Sequence, residues 1–397
     1  MIPLSKIQQI ARSLLGLTAI IASCGLANEV SAAQSGDFTY TVKDSEVTIT
    51  GFPVDFKGAV VIPAQIAGNP VKKIGDHAFY FCGDVTGITI PAGVTHIGNE
   101  AFSDCSKLTN LTLPSGLKGI GTRAFSHTDL RRVTIPGGVK TLSAEAFVGC
   151  FRLNEVEISN GVKVIGEQAF GYCSELETVT LPTSVNEVTI ATFSDSSLKS
   201  INVASGNREY ASVDGILYNK NRTKLISCPT LKSGNVKIPA GVKRLDEKSF
   251  YACRSLKSVE LPKGLVAIEA RAFSECSYLE QADIPPGVTE IGHHAFSATA
   301  VSDVVIPASV DRMGGFVFVR CRNMKRVYFK GDAPSAMGPG VFDSTAKSGV
   351  PVDGFMVFFY EGKEGFTEPT WLGYDTVAID PDMPAANRLV FGFQWRN

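Results

Sequence analysis

Nine cysteines, five histidines and one glycine-rich run are the residues of this chain whose types could do chemistry. Seven cysteines (Cys82, Cys105, Cys150, Cys173, Cys253, Cys276 and Cys321) stand three residues after a phenylalanine, and such a number of thiols invites a metal or disulfide reading. Zinc ligands come as close pairs, whereas these cysteines return once per unit and always on its same side, which is the behaviour of a small buried hydrophobe. Neighbours such as Cys82 and Cys105 would stack about 5 Å apart, inside the disulfide window of roughly 4.4 to 6.8 Å. Thr128, Ser196 and Thr299 fill the same position in other units, so the unit closes without sulfur.

The run Gly119-Ile120-Gly121-Thr122-Arg123-Ala124 fits the dinucleotide fingerprint G-x-G-x-x-A. The same I-G-x-x-A-F turn occurs where no first glycine precedes it, and no βαβ unit surrounds it, so no cofactor is expected. His77, His96, His127, His293 and His294 belong to no catalytic constellation. Adjacent residues such as His293 and His294 point apart on a turn and make a poor metal site. No metal and no enzymatic activity are expected.

What must position all of these residues is a repeat, L-x-x-V-x-I-P-x-x-V-x-x-I-G-x-x-A-F-x-x-C-x-x, legible in Val85 to Lys107, Leu130 to Arg152 and Leu256 to Tyr278. Its ruler is a phenylalanine column: Phe79, Phe102, Phe125, Phe147, Phe170 and Phe193, then Phe250, Phe273, Phe296, Phe318 and Phe342. Each unit holds a short alternating run such as Leu111-Thr112-Leu113, the period of a strand with one wet face. A proline lacking an amide donor ends that strand, and an Ile-Gly pair turns the chain back. One unit cannot bury its own apolar face, whereas stacking buries the columns as a continuous core.

The expected architecture is therefore a β-rich leucine-rich repeat solenoid of about 11 rungs of about 23 residues. Residues 60–346 are assigned to it, with an irregular insert over 204–235 where Gly215 to Tyr218 and Lys224 to Ile226 flank a polar turn like a hairpin. Residues 33–59 read as an N-terminal β cap built on a hairpin, and 347–397 as a C-terminal aromatic cap and tail. Replacing an interior Phe170 should be costly, and a terminal Phe342 should matter less.

The first 32 residues carry Lys6 and Arg12, an apolar stretch from Leu14 and the small residues Ser31 to Ala33, the pattern of a signal peptide. Ile21-Ala22-Ser23-Cys24 also resembles a lipoprotein box, which would tether the chain through Cys24. No later stretch is long and apolar enough to span a bilayer. Lysine plus arginine (38) nearly balances aspartate plus glutamate (39) without runs of one sign, so nucleic acid is not an expected partner.

The repeat resembles the BspA-type, or Treponema-type, leucine-rich repeat family over roughly residues 37 to 379. The Ser212 to Asn219 insert and the unit running from Val327-Tyr328-Phe329-Lys330-Gly331-Asp332-Ala333-Pro334 to Trp371 are similar to accessory features of that family. The resemblance implies a curved right-handed solenoid and a non-enzymatic, secreted or surface protein associated with adhesion or aggregation. The chain departs from the pattern at Ser159, where proline is missing.

Because packing fixes the inward positions, recognition is left to the outward columns of the strands. Their charge is concentrated in Arg131 and Arg132 beside Glu155, Glu157 and Glu177, with Thr134 and Thr180 between them, and aromatic anchors are nearly missing. These residues are the candidate ligand site. The expected partner is an extracellular or surface protein or glycan, and the alternative is a structural spacer or self-associating surface component without a dedicated ligand.

Overall fold

The computed structural model describes residues 33–189, 191–343 and 354–380. The expected leader over 1–32, the lipidation candidate Cys24 and the tail beyond 380 lie outside the described residues. Every regular element among the described residues is a strand, and each repeat makes one turn of a coil.

A turn begins with a strand such as Arg132–Ile135, whose exposures alternate because Val133 and Ile135 point into the core while Arg132 and Thr134 point out. Parallel pairing stacks equivalent positions, Arg132 on Glu155 and Thr134 on Glu157. The proline that follows accepts a hydrogen bond from the amide three residues on, as in Val94 N to Pro91 O (3.1 Å) and Val139 N to Pro136 O (3.0 Å). Ser159, in place of proline, keeps that turn (Val162 N to Ser159 O, 3.4 Å) and adds a bond that proline cannot make, from its own amide to Ile135 O at 3.0 Å.

A two-residue strand comes next, for example His96–Ile97, forming a second parallel ladder. The Ile-Gly turn leaves it where consecutive turns nearly touch: a Cβ on Gly121 would lie 2.5 Å from Asn99 N. At this rung a side chain would have to push the turns apart, whereas Ser143, Thr189, Asp246 and Glu269 hold the same position in rungs that leave room for one. The third side carries A-F-x-x-C, and its amides alternate between two jobs. Ala78, Tyr80 and Cys82 close turns within the rung, while His77, Phe79 and Phe81 donate to Asn99, Ala101 and Ser103 of the next rung at 2.9, 2.8 and 3.0 Å. This geometry puts two residues per rung in the left-handed region, among them Phe81 (φ 59), Asp104 (φ 61) and Arg320 (φ 63), and only at Gly149 and Gly340 are they glycine.

Phenylalanine rings fill the centre. Phe102, Phe125 and Phe147 stack with centroids 5.2 Å apart and planes within 9° of parallel. The column runs unbroken from Phe79 to Phe193 and again from Phe250 to Phe342. Two hydrophobic clusters correspond to these halves, one reaching Leu217 and the other beginning at Ile216. Between the halves three antiparallel strands, Tyr210–Val213, Ile216–Asn219 and Lys224–Ser227, replace a regular rung.

The coil is longer than the phenylalanines indicate. Among the described residues its strand face has thirteen strands and the Ser258–Gln281 bridge, hence fourteen positions rather than eleven. The additional ones are Ser200–Val203, Met356–Tyr360 and Tyr374–Ile379, which pair in parallel with their neighbours although no column phenylalanine follows them. At the N-terminal end Phe38–Lys43 and Glu46–Gly51 form an antiparallel hairpin whose second strand pairs with Asn69–Ile74. Phe342, expected to be lightly packed, is 2% exposed and is held by Phe318, Phe329, Phe355 and Tyr374. The late aromatic residues surround the last ring of the column.

Two outcomes test this account. Phe170→Ala and Phe342→Ala should each lower unfolding stability in urea by about 3–5 kcal/mol, since both delete a buried ring that the neighbours cannot replace. Ala298→Gly (φ 56) should raise stability by about 0.5–1 kcal/mol, because a left-handed L-residue costs roughly 1–2 kcal/mol and glycine flexibility returns about half of that. A loss on Ala298→Gly would contradict it.

Candidate functional site

The strand face presents the residues that packing leaves free. Arg132, Thr134, Glu155, Glu157 and Thr180 are all exposed on the outward columns. Arg131 and Glu177 are exposed at the entries to their strands, one residue before Arg132–Ile135 and Thr178–Leu181. The seven positions therefore split into five on the face and two at its margin.

Stacking pairs these groups with one another. Arg132 Nη2 lies 3.7 Å from Glu155 Oε2, and Thr134 Oγ1 donates to Glu157 Oε2 at 3.1 Å. Glu177 is bound by Lys199 (2.6 Å), and the same device recurs with Lys237 and Glu260 (2.7 Å) and with Arg326 and Asp303. Opposite charges one rung apart neutralise each other along the face. Such exposed pairs contribute only about 0–1 kcal/mol to stability each, so the face can vary without cost to the coil.

Toward the C-terminal end the outward column changes character. Val305, Tyr328, Phe358 and Val377 stand in register, the rings of Tyr328 and Phe358 stack at 4.9 Å, and both are less than 10% exposed. Together with Ile379 they form an apolar cluster on the side of the strands that is wet elsewhere. The signal for it was the run Met356-Val357-Phe358-Phe359-Tyr360, where alternation gives way to continuous apolar residues, the mark of a strand covered on both faces.

The residues that first suggested chemistry are absorbed by packing. All eight described cysteines are buried and unpaired by disulfides. The thiols of Cys105, Cys150, Cys276 and Cys321 donate to the phenylalanine carbonyl of the preceding rung, at 3.1, 3.1, 3.0 and 3.0 Å. Where threonine or serine replaces cysteine, the hydroxyl turns to the phenylalanine of its own rung: Thr128 to Phe125 O (3.0 Å), Ser196 to Phe193 O (2.6 Å) and Thr299 to Phe296 O (2.9 Å). Burial pushes the thiols of Cys150 and Cys321 up to about 11 and that of Cys82 up to about 12, far from the thiolate that metal binding or nucleophilic attack needs.

Gly121 makes its tight approach to Asn99 of the preceding rung, and a turn rather than a long helix follows it. His293 Nδ1 accepts the Gly315 amide at 2.9 Å, and His294 stacks on Phe316. His77 and His127 lie 3.7 and 3.9 Å from Glu100 and Asp104. Among the described residues no three His, Cys, Asp or Glu side chains converge as a metal site would require.

Comparison with known proteins agrees with this geometry. A family profile described as the BspA type leucine rich repeat region matches residues 72–199 and 222–347 in six copies. Among solved structures the chain is similar to the pneumococcal vaccine antigen PcpA, with a TM-score of 0.71 and 24% identity over 83% of this chain and 87% of that one. It is also similar to a leucine rich cell surface protein of Faecalibacterium prausnitzii (TM-score 0.65, 25% identity, 81% and 97% covered) and to a leucine-rich repeat protein of Eubacterium ventriosum (0.56, 23%, 85% and 96%). No curated protein matches the chain.

The buried thiols make pH dependence a test of their structural role. Their folded values lie above the ordinary value of 9.0, so below pH 9 both states hold the protons and stability is unaffected. Between pH 9 and about 11–12 the unfolded chain releases protons that the folded chain keeps, and stability falls as pH rises. Urea titrations from pH 7 to 11 should show this decline, and Cys150→Thr should make it shallower. In the folded protein at pH 8 a thiol reagent should label none of these eight residues.

Proposed function

The chain belongs to the BspA-type leucine-rich repeat family, and on that premise we propose that it is a non-enzymatic binding protein that works outside the cell, in adhesion-like recognition of a protein or glycan. The observation that carries this reading is the division of labour within each rung. Inward columns are fully buried, whereas the outward positions of most strands are exposed, polar and held only by weak pairs between rungs. A surface whose composition the fold does not dictate is where a binding protein can specialise.

Arg131, Arg132, Glu155, Glu157 and Glu177, with Thr134 and Thr180, are proposed as its contact region. A face of repeated small polar contacts suits weak multivalent binding better than one tight small-molecule site. The first 32 residues are proposed to export the chain, leaving it secreted or at the cell surface. Lipidation at Cys24 is the alternative tether. The described residues contain no helix long and apolar enough to cross a membrane.

One observation favours a second reading, a spacer or self-associating surface component. The charges of the face are already paired with each other, which reduces what they can offer to a partner. The two readings separate on one comparison. Residues 33–397, applied to arrays of extracellular proteins, glycans and whole cells, should bind at least one target, and R132E/E155K/E157K should bind about 10-fold less while unfolding within about 1 kcal/mol of the parent. A folded protein that binds nothing, and that light scattering finds associated at high concentration, would favour the spacer.

A further inference from the structure

Among the described residues the amide ladder on the third side of the coil is interrupted at the insert. In the rungs on either side of the insert the phenylalanine amide and the amide two residues later donate forward, as with Phe170 to Thr192 O (3.1 Å), Tyr172 to Ser194 O (3.0 Å), Phe250 to Ala272 O (2.8 Å) and Ala252 to Ser274 O (2.9 Å). At Phe193 and Asp195 the insert intervenes, and among the described residues neither amide has an acceptor. On the opposite wall, Ser249 O accepts from Cys228 N at 2.6 Å, while Glu247 O and Tyr251 O, which hold the other two acceptor positions of that rung, receive no donor among the described residues.

The segment from Ile226 to Thr230 is thus an incomplete rung. It supplies one donor to the Phe250 turn, its Pro229 has no amide to give, and it offers no carbonyl to Phe193 or Asp195. A cavity of about 50 Å³ lies here, lined by Thr192, Phe193 and Ser194 on one wall, Glu247 and Tyr251 on the other, and Ser227 from the insert. That volume has room for a few small polar groups, since one water needs roughly 10–15 Å³ measured in this way.

The sequence marks the same place. The position before the column phenylalanine is alanine in most rungs (Ala78, Ala101, Ala124, Ala146, Ala169, Ala272 and Ala295) and polar only at Thr192 and Ser249, which flank the interruption. Ser249 is fully buried, and among the described residues its hydroxyl has no hydrogen-bond partner. Charges around the seam balance: Asp246 is paired with Lys224 (2.8 Å), Asp195 with Arg254 (3.8 Å), and Glu247 adjoins Lys248. The site therefore has little preference for an anion. It needs a ligand with carbonyls for one wall and amide hydrogens for the other.

We propose that this seam binds an extended polypeptide segment of a partner, which enters as a guest rung and accepts from Phe193 and Asp195 while donating to Glu247 and Tyr251. Peptide backbone is the one common chemistry with donors and acceptors alternating at rung spacing, and addition of a strand to an open edge is an established mode of peptide recognition. The cavity limits the buried part to backbone and small side chains. The proposal concerns a different surface from the strand face and does not depend on what that face binds.

Amide exchange followed by NMR on residues 33–397 tests it. Without ligand, Phe193 and Asp195 should exchange about 100-fold or more faster than Phe170 and Phe250, whose amides are bonded. Acetyl-triglycine-N-methylamide, which has backbone and no side chain, should slow exchange and shift the resonances at both positions. Acetate at equal concentration and ionic strength should do neither, and Ser227→Trp, which fills the cavity, should abolish the response. R132E/E155K/E157K should leave it unchanged. Equal exchange rates at all four amides, no response to the peptide, or an equal response to acetate would each overturn the proposal; if Ser227→Trp does not fold, the titration of the parent protein decides.

Discussion

Everything in this molecule depends on one requirement: a rung whose inner face is apolar and whose forward amides are unmet is stable only when the next rung covers both. Hydrophobic burial and hydrogen bonding act here along the same axis. The stacked phenylalanines remove apolar surface from water, and the amides on either side of each ring fix the separation at which they stack. A polar backbone group left unmet in this interior costs about 1–3 kcal/mol, comparable to what the burial of one aliphatic side chain contributes. A repeat that failed at either task would interrupt the coil.

Several residue choices follow from that requirement. Cysteine after the phenylalanine fills a small gap and lends a weak donor to a carbonyl of the previous rung, and threonine or serine in its place finds a carbonyl in its own rung. Glycine after isoleucine allows consecutive turns to approach within the radius of a methyl group. Non-glycine residues accept left-handed backbone twice per rung because cross-rung bonds hold them there. The interior thus leaves evolution only the outward positions to vary, and those are where the proposed recognition surface lies.

The three antiparallel strands between Tyr210 and Ser227 show what happens when the requirement is not met locally. The Tyr210 hydroxyl accepts the Val188 amide hydrogen at 2.9 Å, the Thr230 hydroxyl donates to Ser196 O, and the apolar clusters of the two halves meet at Leu217 and Ile216. These contacts join the halves without restoring the phenylalanine column or the amide row. The unmet groups that result have the chemistry of a strand edge, in a protein whose other strands are stacked.

The sequence by itself determined the repeat, its inward columns, the packing role of the cysteines and the place of the insert, because each is a one-dimensional pattern with the period of the rung. It also picked out Arg132 with Glu155 and Thr134 with Glu157, which register then set side by side. It could not reveal that these charges neutralise one another, since pairing depends on which rung follows which in space. It undercounted the coil, because the strands near 200, 356 and 374 keep the ladder by backbone pairing where no column phenylalanine follows them. Tertiary structure alone decided that Phe342 is enclosed, that Tyr328 and Phe358 leave the solvent and that, among the described residues, the amides of Phe193 and Asp195 go unanswered. Each of these is a fact about what lies across a gap, and a linear sequence does not record the far side.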